Sequence, residues 1–162
     1  MEQAYEISGR WRGFYEQDGR RHGISMEVAQ RGSGFVGQMR DEDTVLSSGA
    51  EVPAVDGAGD AGSAVAVEQM SVLPEFSVVE GDVDGARVAF DKRYQGTHSI
   101  TAWVDEEVEA RFDIFDHRVR YEGQLDADGR GIRGSWHIAG QEAGADHAGT
   151  PDASGAFVLF RQ

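Results

Sequence analysis

The feature that most constrains this chain is the alternation of apolar and polar residues in short runs, separated by glycine-containing turns. In the run ARVAFDKRY, one face of an extended chain would carry Val88, Phe90, Lys92 and Tyr94. A period of two is the pattern of a β-strand that buries one face and exposes the other. About ten such runs, with almost no helical periodicity, predict an all-β protein with little or no helix.

This pattern favours a closed barrel, because an open sheet of ten strands would expose two long edges. We therefore predict one closed antiparallel up-and-down β-barrel of about ten strands, with a sandwich of two sheets as the alternative. A length of 162 residues suits a single domain over residues 1–162. Two segments rich in glycine and alanine lack a clear period, and we expect long loops at about 44–63 and 140–154.

Several glycines fall on the faces that the alternation assigns to the barrel interior. They are Gly13, Gly37, Gly123 and Gly134. Missing side chains at such positions either let strands coil strongly or leave room for a ligand. The sequence leaves both outcomes open.

The composition excludes several classes of function. The chain has no cysteine, so it can form neither a disulfide nor a thiolate zinc site. It has 29 acidic and 15 basic residues, and its formal net charge of −14 repels nucleic acids and anionic membranes. We therefore expect neither as a partner. No apolar run could span a membrane and no signal-peptide pattern occurs, so we expect a cytoplasmic protein.

Two sequence features that are typical of certain barrel proteins occur here, namely Gly9-x-Trp11 in the first predicted strand and Arg161 in the last. With the run of about ten strands, they resemble the calycin superfamily, which includes lipocalins, fatty-acid-binding proteins and avidins. The resemblance implies that Trp11 closes the barrel base and that Arg161 packs over its ring, a contact of about 0.5–2 kcal/mol. A closer likeness, over GxWxGxY…FxKxY…YxG…GxW…GxFxL, is to bacterial barrel domains of unassigned function.

The first strand, GRWRGFY, is also similar to that of nitrobindin, a ten-stranded haem barrel. Nitrobindin carries further glycines where this chain has Phe14 and Tyr15. The histidines are His22, His98, His117, His137 and His147, and none forms a metal-binding motif such as H-E-x-x-H. Haem is thus a lesser alternative, no metal ligand is assigned and the cofactor is unknown. We expect His98 at a rim, His137 pointing outward, and surface positions for histidines by default.

Lys92 is the only lysine of the chain, beside 14 arginines, and the alternation turns its ammonium into the barrel. A buried ammonium needs a ligand anion, an inward acid or water, unless the lysine lies at the rim with its head in solvent. The predicted ligand-binding residues are Lys92, Tyr94, Phe90, Tyr121, Trp136 and Tyr15. The same rings could instead fill the barrel and leave no pocket.

Acidic residues cluster at the ends of two predicted strands, at 41–43 and at 105–109. Neither cluster has the spacing of a calcium loop, and we interpret both as solvated turns. No serine elbow, phosphate loop or spaced carboxylate pair marks a catalytic residue, and none is predicted.

Three functions are compatible with such a barrel. The first is binding of a small apolar or amphipathic ligand, which could be anionic, in the lumen. The second is a small-molecule isomerase, cyclase or hydrolase, which requires a cluster of titratable side chains inside. The third is a protein-interaction module or homodimer with a filled barrel, for which Trp103 and Phe115 would supply exposed aromatic anchors.

Overall fold

The computed structural model describes residues 5–53, 64–104, 106–114, 117–140 and 152–162. The described residues form twelve β-strands and contain no helix. The strands are β1 (Gly9–Gln17), β2 (Arg20–Arg31), β3 (Gly34–Asp41), β4 (Val45–Pro53), β5 (Ala64–Val72), β6 (Phe76–Asp84), β7 (Arg87–Tyr94), β8 (His98–Val104), β9 (Glu107–Ile114), β10 (Arg118–Leu125), β11 (Gly131–Ile138) and β12 (Ala153–Arg161). The prediction of an all-β fold is confirmed.

Eight strands close into an antiparallel barrel in the order β1-β12-β11-β10-β7-β6-β3-β2. The other four form a separate sheet in the order β4-β5-β8-β9. The barrel is therefore an up-and-down meander into which two hairpins, β4–β5 and β8–β9, are inserted. Closure of an antiparallel barrel is confirmed, with eight strands in the barrel itself and four beyond it.

Both inserted hairpins leave the barrel at the same end, which we call the mouth. The chain exits after Asp41 of β3 and returns at Phe76 of β6; it exits again after Tyr94 of β7 and returns at Arg118 of β10. The two hairpins pair through β5 and β8, with Val72 opposite Ser99 and Val67 opposite Val104. The four-stranded sheet thus extends the structure on the mouth side only.

The predicted loop at about 44–63 is corrected over its first half, where β4 occupies Val45–Pro53 and pairs along its length with β5. The segment LSSGA has no apolar alternation, but a ladder of backbone hydrogen bonds does not require one. Residues 54–63 lie outside the described part of the chain. The predicted loop at 140–154 falls on residues 141–151, which are also outside it, and β12 begins at Ala153.

The end opposite the mouth is closed by Trp11 and Arg161, which lie opposite each other across β1 and β12. The guanidinium carbon of Arg161 is 4.6 Å from the centre of the Trp11 indole. Arg161 also donates hydrogen bonds to the backbone oxygens of Ser8, at 2.9 Å, and Glu6. The indole Nε1 of Trp11 donates to the oxygen of Ile7 at 2.8 Å. The predicted contact between these two residues at the base is present.

Aromatic side chains fill the middle of the barrel. Phe90 stacks on Tyr121 with 4.8 Å between ring centres, and Phe157 meets Tyr121 edge to face at 5.0 Å. Phe35 contacts Phe90 from β3 at 5.9 Å. All four side chains are buried, with at most 2% of their surface exposed. These rings leave no room for a ligand at the centre of the barrel, and the interior pocket lies at the mouth.

The interior glycines let neighbouring strands approach closely. A Cβ on Gly134 would overlap the carbonyl oxygen of Glu122 and lie 2.5 Å from the Cα of Gly123, its partner in the ladder. A Cβ on Gly13 would lie 2.9 Å from the Cα of Leu159. Of the two outcomes that the sequence left open, these positions serve strand coiling and not ligand space.

The search for membrane-spanning helices among the described residues finds none of sufficient length and hydropathy.

Candidate ligand site at the barrel mouth

A buried charged pair lies just inside the mouth. The alternation of β7 turns Lys92 inward between Phe90 and Tyr94, and its Nζ lies 2.7 Å from both carboxylate oxygens of Asp41. Both side chains are 0% exposed. Nζ also lies 3.0 Å from the hydroxyl of Tyr94 and 4.4 Å from the centre of its ring. The inward direction of Lys92 agrees with the sequence analysis, and an inward acid is its partner.

Burial changes the pKa of both members of the pair. Loss of solvent raises the pKa of Asp41, and the nearby Lys92 ammonium opposes that shift. Loss of solvent likewise lowers the pKa of Lys92, and the Asp41 carboxylate opposes it. At a pH between these two pKa values the pair shares one titratable proton, which lies either on the Lys92 amine or on the Asp41 carboxylate. The pair therefore carries no net charge, whichever group the proton occupies.

The interpretation of Asp41 as part of a solvated turn is wrong. Asp41 continues the inward face of β3, in phase with Phe35 and Met39, and it is 1% exposed. The sequence carried this signal, because the alternation of β3 runs on into the acidic cluster. Glu42, in contrast, is exposed and forms an ion pair with Arg12 at 3.1 Å.

Above the charged pair, the mouth holds a small pocket of about 80 Å³. Its lining includes four of the six predicted ligand-binding residues, namely Tyr15, Tyr94, Tyr121 and Trp136. The other two, Lys92 and Phe90, are not in the lining: Lys92 is held by Asp41, and Phe90 belongs to the packed centre. The remaining lining residues are Gln17, Leu46, Ser71, Leu73, His98, His117, Val119 and Ile138.

Two histidines that the sequence analysis placed at the rim or the surface form one wall of this pocket. His98 begins β8 and His117 precedes β10, and their Nδ1 atoms are 3.0 Å apart. His117 also stacks on Tyr94 with 5.0 Å between ring centres. His98 is buried at the mouth, where a rim position was expected, whereas His117 is half-buried and the expectation of a surface position is wrong for it. Sequence reasoning missed this contact because it depends on the placement of the β8–β9 hairpin next to β10, which brings the two histidines together.

The histidine pair is neutral at ordinary pH. Burial lowers the pKa of His98, and burial together with the neighbouring charges of His98 and Lys92 lowers the pKa of His117 to about 4. One neutral ring must donate its Nδ1 proton to the other, so only one of the two rings carries a proton on Nε2. Because Nε2 of His98 is buried and has no partner among the described residues, its role as donor or acceptor follows the state of His117.

Two phenol groups of the lining also lack protein partners. The hydroxyls of Tyr15 and Tyr121 make no hydrogen bond within the described part of the chain, although both residues are at least 95% buried. Burial, followed by the charge of Asp41, raises the pKa of both phenols, so they remain O–H donors. Trp136 differs, since its Nε1 donates to the oxygen of Glu16 at 3.0 Å. Among the buried groups of the lining, two phenol O–H groups and one imidazole nitrogen are therefore free for a ligand, beside the less buried side chains of Gln17 and Ser71.

A wider polar cleft adjoins the pocket. Its volume is about 540 Å³, and it lies between the β1–β2 turn and the β4–β5 hairpin. Gln17, Leu46 and Ser71 line both spaces. The cleft is lined further by Asp18, Arg20, Arg21, His22, Asp43, Val45, Ser47 and Gln69. An apolar inner pocket thus lies next to a charged outer surface.

Fold and site define a class: an eight-stranded antiparallel barrel with a filled centre, a sheet at its mouth and an aromatic pocket between them. Comparison of the chain with protein-family models, with curated proteins and with solved structures finds no match. Among the described residues, no three histidine or acidic side chains come together as a metal site would require.

Proposed function

We propose that the protein binds a small amphipathic molecule at the barrel mouth. The apolar part of the ligand would occupy the pocket of about 80 Å³, and its polar part would lie in the cleft next to it. The observation that carries the proposal is a set of three buried hydrogen-bonding groups, from Tyr15, Tyr121 and His98, that have no partner among the described residues and lie in a mainly apolar and aromatic lining. Apolar walls with a few convergent polar groups are typical of small-molecule sites.

In this proposal the ligand lies nearer to the mouth of the barrel than the sequence alone suggested. Phe90 would support Tyr121 from below, and Lys92 would hold Tyr94 in place instead of meeting the ligand. The base contact of Trp11 with Arg161 supports a calycin-like relationship, which is part of the proposal. So are a cytoplasmic location and the absence of nucleic-acid and membrane partners.

Native mass spectrometry of freshly purified protein, followed by extraction of bound material, tests this function. A variant that fills the pocket, Ile138→Trp, should lose the co-purifying molecule, because Ile138 lines the pocket and is half-buried. The matched control is Val36→Trp on the outer face of β3, where the side chain is 55% exposed. Equal amounts of bound molecule in the two variants would place the ligand elsewhere.

A second candidate function is catalysis at the same site. It is favoured by the titratable groups inside the mouth, where burial shifts the pKa of His98, His117, Lys92 and Asp41. Proton transfer on a bound molecule would use His98, whose Nε2 has no partner among the residues that the structure describes. If the native protein converts the extracted molecule and His98→Gln binds it without conversion, the protein is an enzyme; unchanged turnover in His98→Gln would exclude this role.

The third hypothesis, a protein-interaction module or homodimer, gains less support. That hypothesis requires aromatic anchors that are exposed to solvent. Trp103 is partly exposed, whereas Phe115 lies outside the described residues. The mass of the native complex in the same experiment tests for a homodimer directly.

A further inference from the structure

The charged groups nearest the mouth pocket are balanced within the described part of the protein, whereas the exposed Arg20, which forms no ion pair there, lines the outer cleft and not the pocket. Lys92, the cation that the sequence directed towards a ligand acid, lies 2.7 Å from Asp41. At the rim, Arg21 forms an ion pair with Glu16 at 3.1 Å, and His22 contacts Asp43 at 2.9 Å. A ligand carboxylate in the pocket would therefore lose its water without gaining a free counter-charge, which is costly.

The free groups of the pocket are suited to an uncharged acceptor. Tyr15 and Tyr121 offer O–H donors, and the negative charge of Asp41 is close enough to raise the pKa of both phenols. A carbonyl oxygen accepts two O–H donors through its two lone pairs and carries no net charge.

The histidine pair adds one nitrogen, Nε2 of His98, that can pair with either a hydrogen-bond donor or an acceptor of the ligand. When His98 donates its Nδ1 proton to His117, its Nε2 is an acceptor; when His117 donates, the Nε2 of His98 carries a proton. A ligand amide or hydroxyl can therefore donate a hydrogen bond to Nε2 of His98 or accept one from it, and neither case requires a charged imidazole.

We propose that the mouth pocket selects a neutral small molecule with a carbonyl-type oxygen, held by the hydroxyls of Tyr15 and Tyr121, and discriminates against the corresponding acid. This inference rests on the proposed binding function and names its ligand class. It replaces the anionic ligand that Lys92 suggested in the sequence. The part inside the pocket is small, since about 80 Å³ is roughly half the cavity that holds benzene in an engineered protein core.

Isobutyramide and isobutyrate, which have the same shape and differ in charge, test the inference at pH 7.5 and constant ionic strength. Binding is followed by nuclear magnetic resonance of the protein, with the Trp136 indole and the ring protons of His98 and His117 as reporters. We expect isobutyramide to shift these signals at millimolar concentration, and isobutyrate to bind at least about tenfold more weakly. A carboxylate that binds as tightly as the amide would overturn the inference and leave the binding function intact.

Variants of the two tyrosines test the assigned contacts. Neither hydroxyl has a partner in the described part of the chain, so Tyr15→Phe and Tyr121→Phe should fold normally, and each should weaken amide binding about 2–10-fold. The matched control is Tyr5→Phe near the base, which should not change binding. Unchanged affinity in both pocket variants would overturn the assigned contacts. If neither probe shifts any pocket signal, the inference and the mouth site fail together.

Discussion

The buried pair of Lys92 and Asp41 should respond to substitution as a unit. Asp41→Asn keeps the shape of the side chain and leaves the ammonium without a counter-charge. Lys92→Met leaves the carboxylate alone. Since both side chains are 0% exposed, breaking the pair should cost about 3–5 kcal/mol, a large part of the roughly 5–15 kcal/mol that stabilises a domain.

Urea denaturation measures this cost. With a slope of about 2 kcal/mol per molar urea, either single substitution should lower the midpoint by about 1.5–2.5 M. The double variant Lys92→Met with Asp41→Asn should recover much of the loss, because no isolated charge remains. The control is Asp91→Asn on the opposite face of β7, since Asp91 is half-exposed and pairs with Arg120 at 3.3 Å. It should cost about 1 kcal/mol or less.

The pH dependence of Asp41→Asn gives a second check. An unpaired buried lysine can lose its proton, and it does so more easily as the pH rises towards its ordinary value of 10.5. The destabilisation by Asp41→Asn should therefore be smaller at pH 9 than at pH 7. The reasoning is refuted if the double variant loses the sum of the single losses, or if Asp41→Asn is as mild as Asp91→Asn.

Three further predictions concern the histidines, the base and the glycines. The pKa of His117 is about 4 in the folded protein and 6.5 in the unfolded chain. The contribution of His117 to stability is therefore present above about pH 6.5 and lost as the pH falls towards 4. The urea midpoint of His117→Gln should consequently fall less between pH 7 and pH 5 than that of the unsubstituted protein. Arg161→Met removes the Trp11 contact and the backbone hydrogen bonds at the base, and should lower the free energy of unfolding by about 1–3 kcal/mol; a loss below 0.5 kcal/mol would contradict that role. Gly134→Ala places a Cβ against the backbone of β10 and should lower the thermal midpoint by several degrees, whereas Gly32→Ala, in open space at a φ of +65°, should lower it only through backbone strain.

Much of the barrel could be predicted because its strands carry a local pattern. The inward faces of β1, β7 and β10 follow from alternation alone, and Lys92, Tyr94 and Tyr121 lie where it placed them. Strand β4 could not be predicted in this way, since its sequence of small and polar residues does not report a buried face. Its position depends on pairing with β5, which is a long-range property.

The candidate site was predictable only in part, because its residues come from strands that are distant in the chain. Tyr15 and Trp136 could be assigned inward one strand at a time. The meeting of His98 with His117, and that of Lys92 with Asp41, depends on which strands are neighbours and on the register between them. The charge balance at the mouth is a property of these pairs, so the pattern of β7 alone pointed to an anionic ligand for Lys92.

The pairing of β1 with β12 also bears on how the protein is made. The barrel is closed by two strands that are far apart in the chain, since Arg161 donates to the backbone oxygen of Ser8 across 153 positions. During synthesis one edge of β1 stays unpaired until β12 has emerged, which favours slow barrel closure and exposes the nascent chain to aggregation.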